Sequence, residues 1–276
     1  MLYNLPSDLN SALQLLVNFD GKIIAGGTDV YPSAKQGQMP RNLVDLSSIP
    51  EISGITFVDD LFRIGATTTW SEIVKAELPC AFDALKQAAL EIGSIQIQNA
   101  GTIGGNICNA SPAADSVPPL LALDARVELQ SAKHGTRILK LSDFILHVRK
   151  TALGRDELVT AVIIPRPSQN AKSSFEKLGS RRYLVISITM VAAVIECTSS
   201  GIIEAAKIAV GSCSPVAQRL EKLEADIIGL KPEQVEVTPD HLATLSPIDD
   251  VRGSKDYRME VVAKQCERAI IRAANS

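Results

Sequence analysis

The sequence is short of the residues that mark the commonest site chemistries. Its three histidines, His134, His147 and His241, show no ligand spacing, and its five cysteines, Cys80, Cys108, Cys197, Cys213 and Cys266, contain no CxxC pair. An odd, scattered cysteine set argues against a zinc ribbon, a cysteine-ligated iron–sulfur cluster and a disulfide framework. What is left is buried thiols in a reducing compartment, and no metal site is expected. No long basic run exists and the net charge is −3, which excludes nucleic acid as the main partner. No apolar run approaches the roughly 20 residues of a membrane helix, so no membrane span is expected. Met1-Leu2-Tyr3-Asn4 carries no basic segment followed by an apolar one, so a cytoplasmic location is expected. Neither GxGxxG nor the P-loop pattern GxxxxGK followed by Ser or Thr occurs, so a Rossmann dinucleotide site and a P-loop are unsupported.

What is present is an ordinary globular balance, 46% hydrophobic and 21% charged, in a chain of 276 residues, enough for one large domain or two small ones. Ser7 is placed to cap a helix with Leu9, Leu13 and Leu16 at helical spacing, ended by Gly21. Lys22 to Ala25 reads as a short buried strand running into Gly26-Gly27-Thr28-Asp29. Ile55–Val58 and Leu61–Ile64 form a hairpin across Asp59-Asp60. A short helix is expected after a cap at Ser71, and a longer one over Phe82–Ile92. Residues 99–115 break every periodic pattern, being small, Gly-rich and polar between core-like flanks. Arg126–Gln130, Thr136–Leu139 and Leu158–Ile164 read as strands, closed by Pro165-Arg166-Pro167, the best domain boundary in the chain. Phe175–Leu178, Ser187–Cys197 and Ile202–Val210 are strands around a Ser199-Ser200-Gly201 turn, and a helix over Ser254–Ala273 carries Val261, Val262, Ala269, Ile270 and Ala273 on one side. Helices and strands do not alternate strictly, so the class is α+β and not a doubly wound parallel sheet.

Two loops hold the interest. Glycines directly after a strand, as in Ala25-Gly26-Gly27-Thr28-Asp29, admit positive φ and let another group approach where a Cβ would collide. Gly101-Thr102-Ile103-Gly104-Gly105-Asn106 has the same character and adds side-chain donors at Thr102 and Asn106. Successive backbone amides in such loops form concave anion sites, which hold a pyrophosphate without lysine or arginine. Each loop alone also reads as a tight turn. The residues themselves lead to two anion-competent loops on a mixed domain, which favours a phosphate-bearing cofactor without naming it.

With both loops in hand, the chain resembles the FAD-binding medium subunit of the xanthine dehydrogenase and carbon monoxide dehydrogenase family, a group of molybdenum hydroxylases. The resemblance runs nearly end to end. It is carried by Ala25 to Asp29, by Thr102 to Asn106 continuing through Asn109-Ala110-Ser111-Pro112-Ala113-Ala114-Asp115, by Thr151-Ala152-Leu153 with Asp156-Glu157-Leu158, and by Asp249 to Ser254 with Tyr257-Arg258. It implies an FAD-binding domain of the vanillyl-alcohol-oxidase (PCMH) type over residues 1–167, with FAD between two α+β subdomains. Residues 168–276 would form a domain like the carbon monoxide dehydrogenase flavoprotein C-terminal one, a three-stranded antiparallel sheet plus helices. The cofactor residues it implies are Ile23, Ile24, Ala25, Gly26, Gly27, Thr28, Asp29 and Val30 from the first loop, and Gly101, Thr102, Ile103, Gly104, Gly105 and Asn106 from the second, both on the diphosphate. Asp115 corresponds to an aspartate that contacts the cofactor; a carboxylate repels phosphate, so its partners would be sugar or ribityl hydroxyls, unless it is a helix N-cap before Val117. Val159 corresponds to a position beside the adenine end, or is plain strand core, and Lys177 to a lysine on the flavin side. Cys108 falls where relatives set an apolar side chain over the isoalloxazine ring, and a packing role is expected there. Arg181-Arg182-Tyr183-Leu184 stands where some relatives carry an acidic residue, and Tyr183 is either against the flavin or an ordinary loop aromatic.

The implied function is electron transfer within an oxidoreductase, with no protein group as catalytic acid or base. A molybdenum cofactor-binding large subunit and a small subunit with 2Fe–2S clusters are the implied partners, and electrons would leave through FAD to NAD, oxygen or another acceptor. Two alternatives remain at this level: a free-standing FAD-dependent reductase on the same fold, and a scaffold that has lost the cofactor. The first would need a substrate domain with an acid donor, and no such constellation is visible after residue 167.

Overall fold

A computed structural model describes residues 2–17, 21–34 and 42–276. In chain order its first elements are β1 (Leu2–Asn4), α1 (Leu9–Leu16), β2 (Lys22–Ile24), α2 (Val30–Ser33), β3 (Asn42–Asp45), β4 (Ile55–Val58), β5 (Leu61–Gly65), α3 (Trp70–Lys75), α4 (Asp83–Glu91), α5 (Ile95–Ala100), α6 (Ile103–Asn109) and α7 (Val117–Ala122). Then follow β6 (Arg126–Ser131), β7 (Gly135–Lys140), α8 (Leu141–Phe144), β8 (Ile145–His147), β9 (Lys150–Thr151), β10 (Glu157–Pro165), β11 (Lys172–Leu178), β12 (Thr189–Cys197), β13 (Ile203–Gly211), β14 (Gln218–Arg219), α9 (Glu221–Asp226) and α10 (Lys255–Asn275). They gather into two compact units, each built from three stretches of chain: Met1–Ala76, Ser94–Ala110 and Ala125–Pro165 in the first, Glu77–Gly93, Ser111–Asp124 and Arg166–Ser276 in the second.

The first unit holds a parallel sheet in the order β1-β3-β2 and an antiparallel sheet in the order β4-β5-β10-β6-β7. Helix α1 buries Ala12, Leu13 and Leu16 against Val44, Leu46, Ile49, Ile52 and Leu158, and each fully buried aliphatic side chain contributes about 1.5–3 kcal/mol. Its cap is Asp8 and not the expected Ser7: the extended backbone falls at Asp8, whose side chain accepts from the Ser11 amide at 2.8 Å. The helix closes at Val17; residues 18–20, before the expected terminator Gly21, lie outside the described residues. The β4–β5 hairpin turns at Asp59-Asp60 as expected, both residues left-handed at φ 52° and 58°, which matches the twist of the strands. Phe57 and Phe62 pair across it with ring centroids 4.5 Å apart. Helix α3 starts two residues earlier than expected. Thr69, not Ser71, is the cap, because Glu72 three residues on completes a reciprocal capping box with it.

The second unit is built on an antiparallel sheet in the order β11-β12-β13-β14, three long strands with a two-residue fourth at the edge. Helix α10 is capped by Ser254 and lays Val262, Cys266, Ala269, Ile270 and Ala273 on Val191, Ala193, Ile195, Ile208 and Val210. Val261, expected on that face, is only half-buried, and Arg258 and Gln265 take inward positions instead. There the Arg258 guanidinium donates through Nη1 to the carbonyls of Ile188 and Ser212 and through Nη2 to Asp250 at 2.7 Å, while its buried Nε has no partner among the described residues. Helix α4 is fastened to β11 by side chains: Ser173 Oγ accepts from the Ala84 amide and Gln87 Oε1 from the Phe175 amide, each at 2.8 Å. Among the described residues, no helix is long and apolar enough to cross a membrane.

Candidate cofactor site

The first loop leaves β2 after Ile24, whose carbonyl accepts from the Leu46 amide at 2.9 Å. Gly27 has φ +69°, and a Cβ there would lie 2.5 Å from Cε2 of Tyr31, so a larger residue would be strained in its backbone and would displace the tyrosine ring. At Gly26 a Cβ would lie 1.8 Å from the carbonyl oxygen of Ala100. The missing side chain therefore lets the first loop touch the end of α5, where the second loop begins. The two loops are neighbours within one compact unit, although 75 residues separate Gly26 from Gly101.

The two loops differ in a way their sequences do not reveal. The second is held from within: the Gly101 amide donates to Ile97 O at 2.6 Å, Ile103 to Thr68 O at 3.0 Å, Gly104 to Ala66 O at 2.9 Å and Gly105 to Thr102 Oγ1 at 3.1 Å. A Cβ on Gly104 would meet Ala66 at 2.7 Å, so this glycine serves close packing of protein on protein. Gly105 is the exception, exposed, with only Thr102 Oγ1 near a built Cβ, at 3.0 Å. In the first loop, by contrast, the amides of Gly26, Gly27, Thr28 and Asp29 donate to no acceptor among the described residues. Consecutive uncommitted amides of this kind form an anion cradle, and neither loop contains lysine or arginine. The donor set fits the diphosphate of a dinucleotide.

The other implied residues fall as follows. Ile24 and Ile103 are buried and Ile23 packs on the α1 core, so these three offer a ligand backbone only; Ala25, Val30 and Asn106 are half-buried. Residues 99–115, read as irregular, contain the last two residues of α5, all of α6 and the turn leading into α7. Thr102 is the cap of α6, which hides a helix inside a Gly-rich run. Cys108 sits on α6, half-buried, and burial pushes its thiol up to about 12. Val159 is buried in β10 opposite Leu129, at the edge of a bulge.

Asp115 and Lys177 belong to the second unit and meet each other. Lys177 Nζ donates to Asp115 Oδ2 at 2.7 Å with both side chains about nine-tenths buried, and donates also to the Glu91 carbonyl at 3.2 Å. Ser187 donates to the other carboxylate oxygen. Burial pushes the Asp115 carboxyl above its ordinary range, against the pull of Lys177 and Ser187. The cap of α7 is Ser116, so Asp115 is not an N-cap. Ser187 was invisible in the sequence because 72 residues separate it from Asp115. Tyr183 is exposed, with the Arg182 guanidinium 5.2 Å from its ring centre.

Known proteins resemble this chain over both of its parts. Residues 1–167 match the family described as FAD binding domain in molybdopterin dehydrogenase, and residues 174–273 match the CO dehydrogenase flavoprotein C-terminal domain. The chain belongs to this family, the FAD-binding medium subunits of the carbon monoxide dehydrogenase and xanthine dehydrogenase group, and is thus an FAD-binding oxidoreductase subunit. It is 34% identical to the nicotinate dehydrogenase FAD-subunit of Eubacterium barkeri over 93% of this chain and 90% of that one. It is 30% identical to the putative xanthine dehydrogenase FAD-binding subunit of Escherichia coli over 98% and 95% of the two chains. Among solved structures, reconstituted CO dehydrogenase from Oligotropha carboxidovorans superposes with a TM-score of 0.90 at 27% identity, covering 100% of this chain and 98% of that one.

Proposed function

We propose that this chain carries electrons out of a molybdenum hydroxylase, receiving them from the 2Fe–2S clusters of a small subunit and delivering them to NAD, oxygen or another acceptor. The hydroxylation itself belongs to a large subunit with a molybdenum cofactor. FAD supplies the exchange between one-electron and two-electron traffic when bound. The observation that carries this reading is the row of amides from Gly26 to Asp29 without protein acceptors. These donors bind the diphosphate; each bond to a charged oxygen is worth roughly 1.5–3 kcal/mol. Gly26 and Gly104 act indirectly, by letting the two loops and Ala66 close up behind the cradle. Thr102 fixes the entry of α6, and Gly105 leaves an open flank where a ligand can lie without a Cβ in the way. Asp115, held by Lys177 and Ser187, accepts from hydroxyls of the cofactor's sugar or ribityl chain, and Lys177 lies on the flavin side. Cys108 packs against the ring and Val159 lies toward the adenine end. This division follows an FAD-binding domain over 1–167 and a C-terminal domain over 168–276, in a protein working in the cytoplasm.

The test is isolation of the native complex under mild conditions, followed by flavin, iron and molybdenum analysis and a screen of acceptors. The expected result is a yellow assembly with stoichiometric FAD, iron and molybdenum that loses acceptor reduction, but not its molybdenum, when this chain is stripped of FAD. A single-chain protein that reduces a small substrate alone would support a free-standing reductase instead. A colourless chain that takes up no FAD would leave only a scaffold.

A further inference from the structure

We infer that Arg149 and Asn109 form a latch that fixes the C-terminal turn of α6 against bound FAD, which makes Arg149 a positioning residue; the inference rests on the cofactor reading above. Helix α6 has seven residues, too few to persist on its own propensity. Its first turn is held by the Thr102 cap and by amide bonds from Ile103 and Gly104 to the Thr68 and Ala66 carbonyls. Its last turn lacks the usual glycine. Ala110 closes it in the left-handed region at φ 46°, and the last carbonyls of a helix need partners from elsewhere.

Those partners come from one residue in the turn between β8 and β9. The Arg149 amide donates to Ala110 O at 2.9 Å, and its guanidinium donates to Asn109 O at 3.2 Å and to Asn109 Oδ1. Arg149 is itself left-handed, at φ 57°. Two side-chain-bearing residues in this region therefore face each other through a hydrogen bond. Such conformations persist only where surroundings over-determine them, and they cluster at functional sites. The cation also lies at the carbonyl end of the helix, where positive charge is favoured. The residue before Asn109 is Cys108, and Gly105 lies one turn earlier. A loosened latch would let both cofactor-facing positions of α6 shift together.

The experiment compares the full-length chain with Arg149→Lys, Asn109→Ala and Asn109→Asp. Lysine keeps the charge but cannot reach both acceptors in fork geometry, and aspartate keeps an acceptor for the guanidinium. In Arg149→Lys and Asn109→Ala, FAD should dissociate about tenfold faster, the equivalent of one charge-assisted hydrogen bond. The visible circular dichroism of the remaining bound flavin should change shape, and Asn109→Asp should restore both. In the FAD-free chain, hydrogen exchange at the amides of residues 107–110 should quicken in Arg149→Lys alone of the lysine and aspartate variants. Unchanged FAD release in Arg149→Lys, or a lower melting temperature with an unaltered flavin spectrum, would overturn the latch while leaving the cofactor reading intact. An unmodified chain that fails to hold FAD would sink both.

Discussion

Replacing Gly26 by alanine tests the site where its geometry is tightest. A Cβ built on Gly26 lies 1.8 Å from the Ala100 carbonyl oxygen, whereas real Cβ contacts essentially never fall below 3.0 Å. The first loop or the end of α5 must therefore move by at least the 1.2 Å between those two values. Overpacking of this kind costs about 1–3 kcal/mol. If the amides of Gly26 to Asp29 hold the diphosphate as proposed, the movement would also drag them off it. Losing one or two charge-assisted bonds, at roughly 1.5–3 kcal/mol each, would weaken FAD binding by about tenfold to more than about ten thousandfold. Gly54 supplies the control. Its φ is +77° and nothing lies within 4 Å of a built Cβ, so Gly54→Ala imposes only backbone strain of about 1–2 kcal/mol. Isothermal titration with FAD and urea unfolding of the FAD-free proteins separate the two effects. Both variants should lose comparable stability, and only Gly26→Ala should lose FAD. If Gly26→Ala bound FAD as tightly as the unmodified chain, the amide cradle would be the wrong account of the site.

The pair Asp115–Lys177 should behave as a coupled unit. Removing one partner by Asp115→Asn or Lys177→Met leaves a buried group unpaired and should cost about 3–5 kcal/mol in urea unfolding, while the double variant should be more stable than the sum of the singles implies; strict additivity would contradict the ion pair. Burial pushes the Cys213 thiol from 9.0 up to about 12, with Arg258 pulling the other way. The folded chain then holds this proton more tightly than the unfolded one, so the contribution is complete below pH 9 and is lost as pH rises from about 9 toward 12. The slope for one such group is roughly 1.4 kcal/mol per pH unit. Alkaline unfolding curves should flatten by that slope in Cys213→Ala, and an identical pH dependence would show that the thiol exchanges its proton freely.

The elements with clear local signals were legible in the sequence. The Asp59-Asp60 turn, the paired strands around it, and the amphipathic stripe of α10 all follow from short-range chemistry. Helix caps were harder where two candidates stood together. Ser7 beside Asp8, and Ser71 two residues after Thr69, were decided by which residue had a partner three positions on, and Glu72 makes that choice for Thr69. Helix α6 was hidden because glycines at 104 and 105 depress helix propensity, and packing against Ala66 overrides it. At the site, the location of both loops was visible, but the division of labour between them was not. Which amides are free depends on carbonyls at Ala66, Thr68 and Ile97, and no local pattern announces such pairings. Ser187 and Arg149 were missed for the same reason, since their partners lie 72 and 40 residues away.

The interleaving of the two units bears on how the chain emerges from the ribosome. Helices α4 and α7 are synthesised early, yet the sheet to which α4 is fastened begins only at Lys172. For the interval in which more than 80 residues are translated after Gln87, apolar side chains such as Leu85 and Ala88 have no strand to cover them. Long-range closure of this kind is slow and leaves aggregation-prone intermediates. Nascent chains stalled near residue 167 should therefore recruit chaperones more heavily than chains released at full length. A fragment cut at the same point would carry two orphaned helices, and a soluble half-protein made from it would need those segments redesigned.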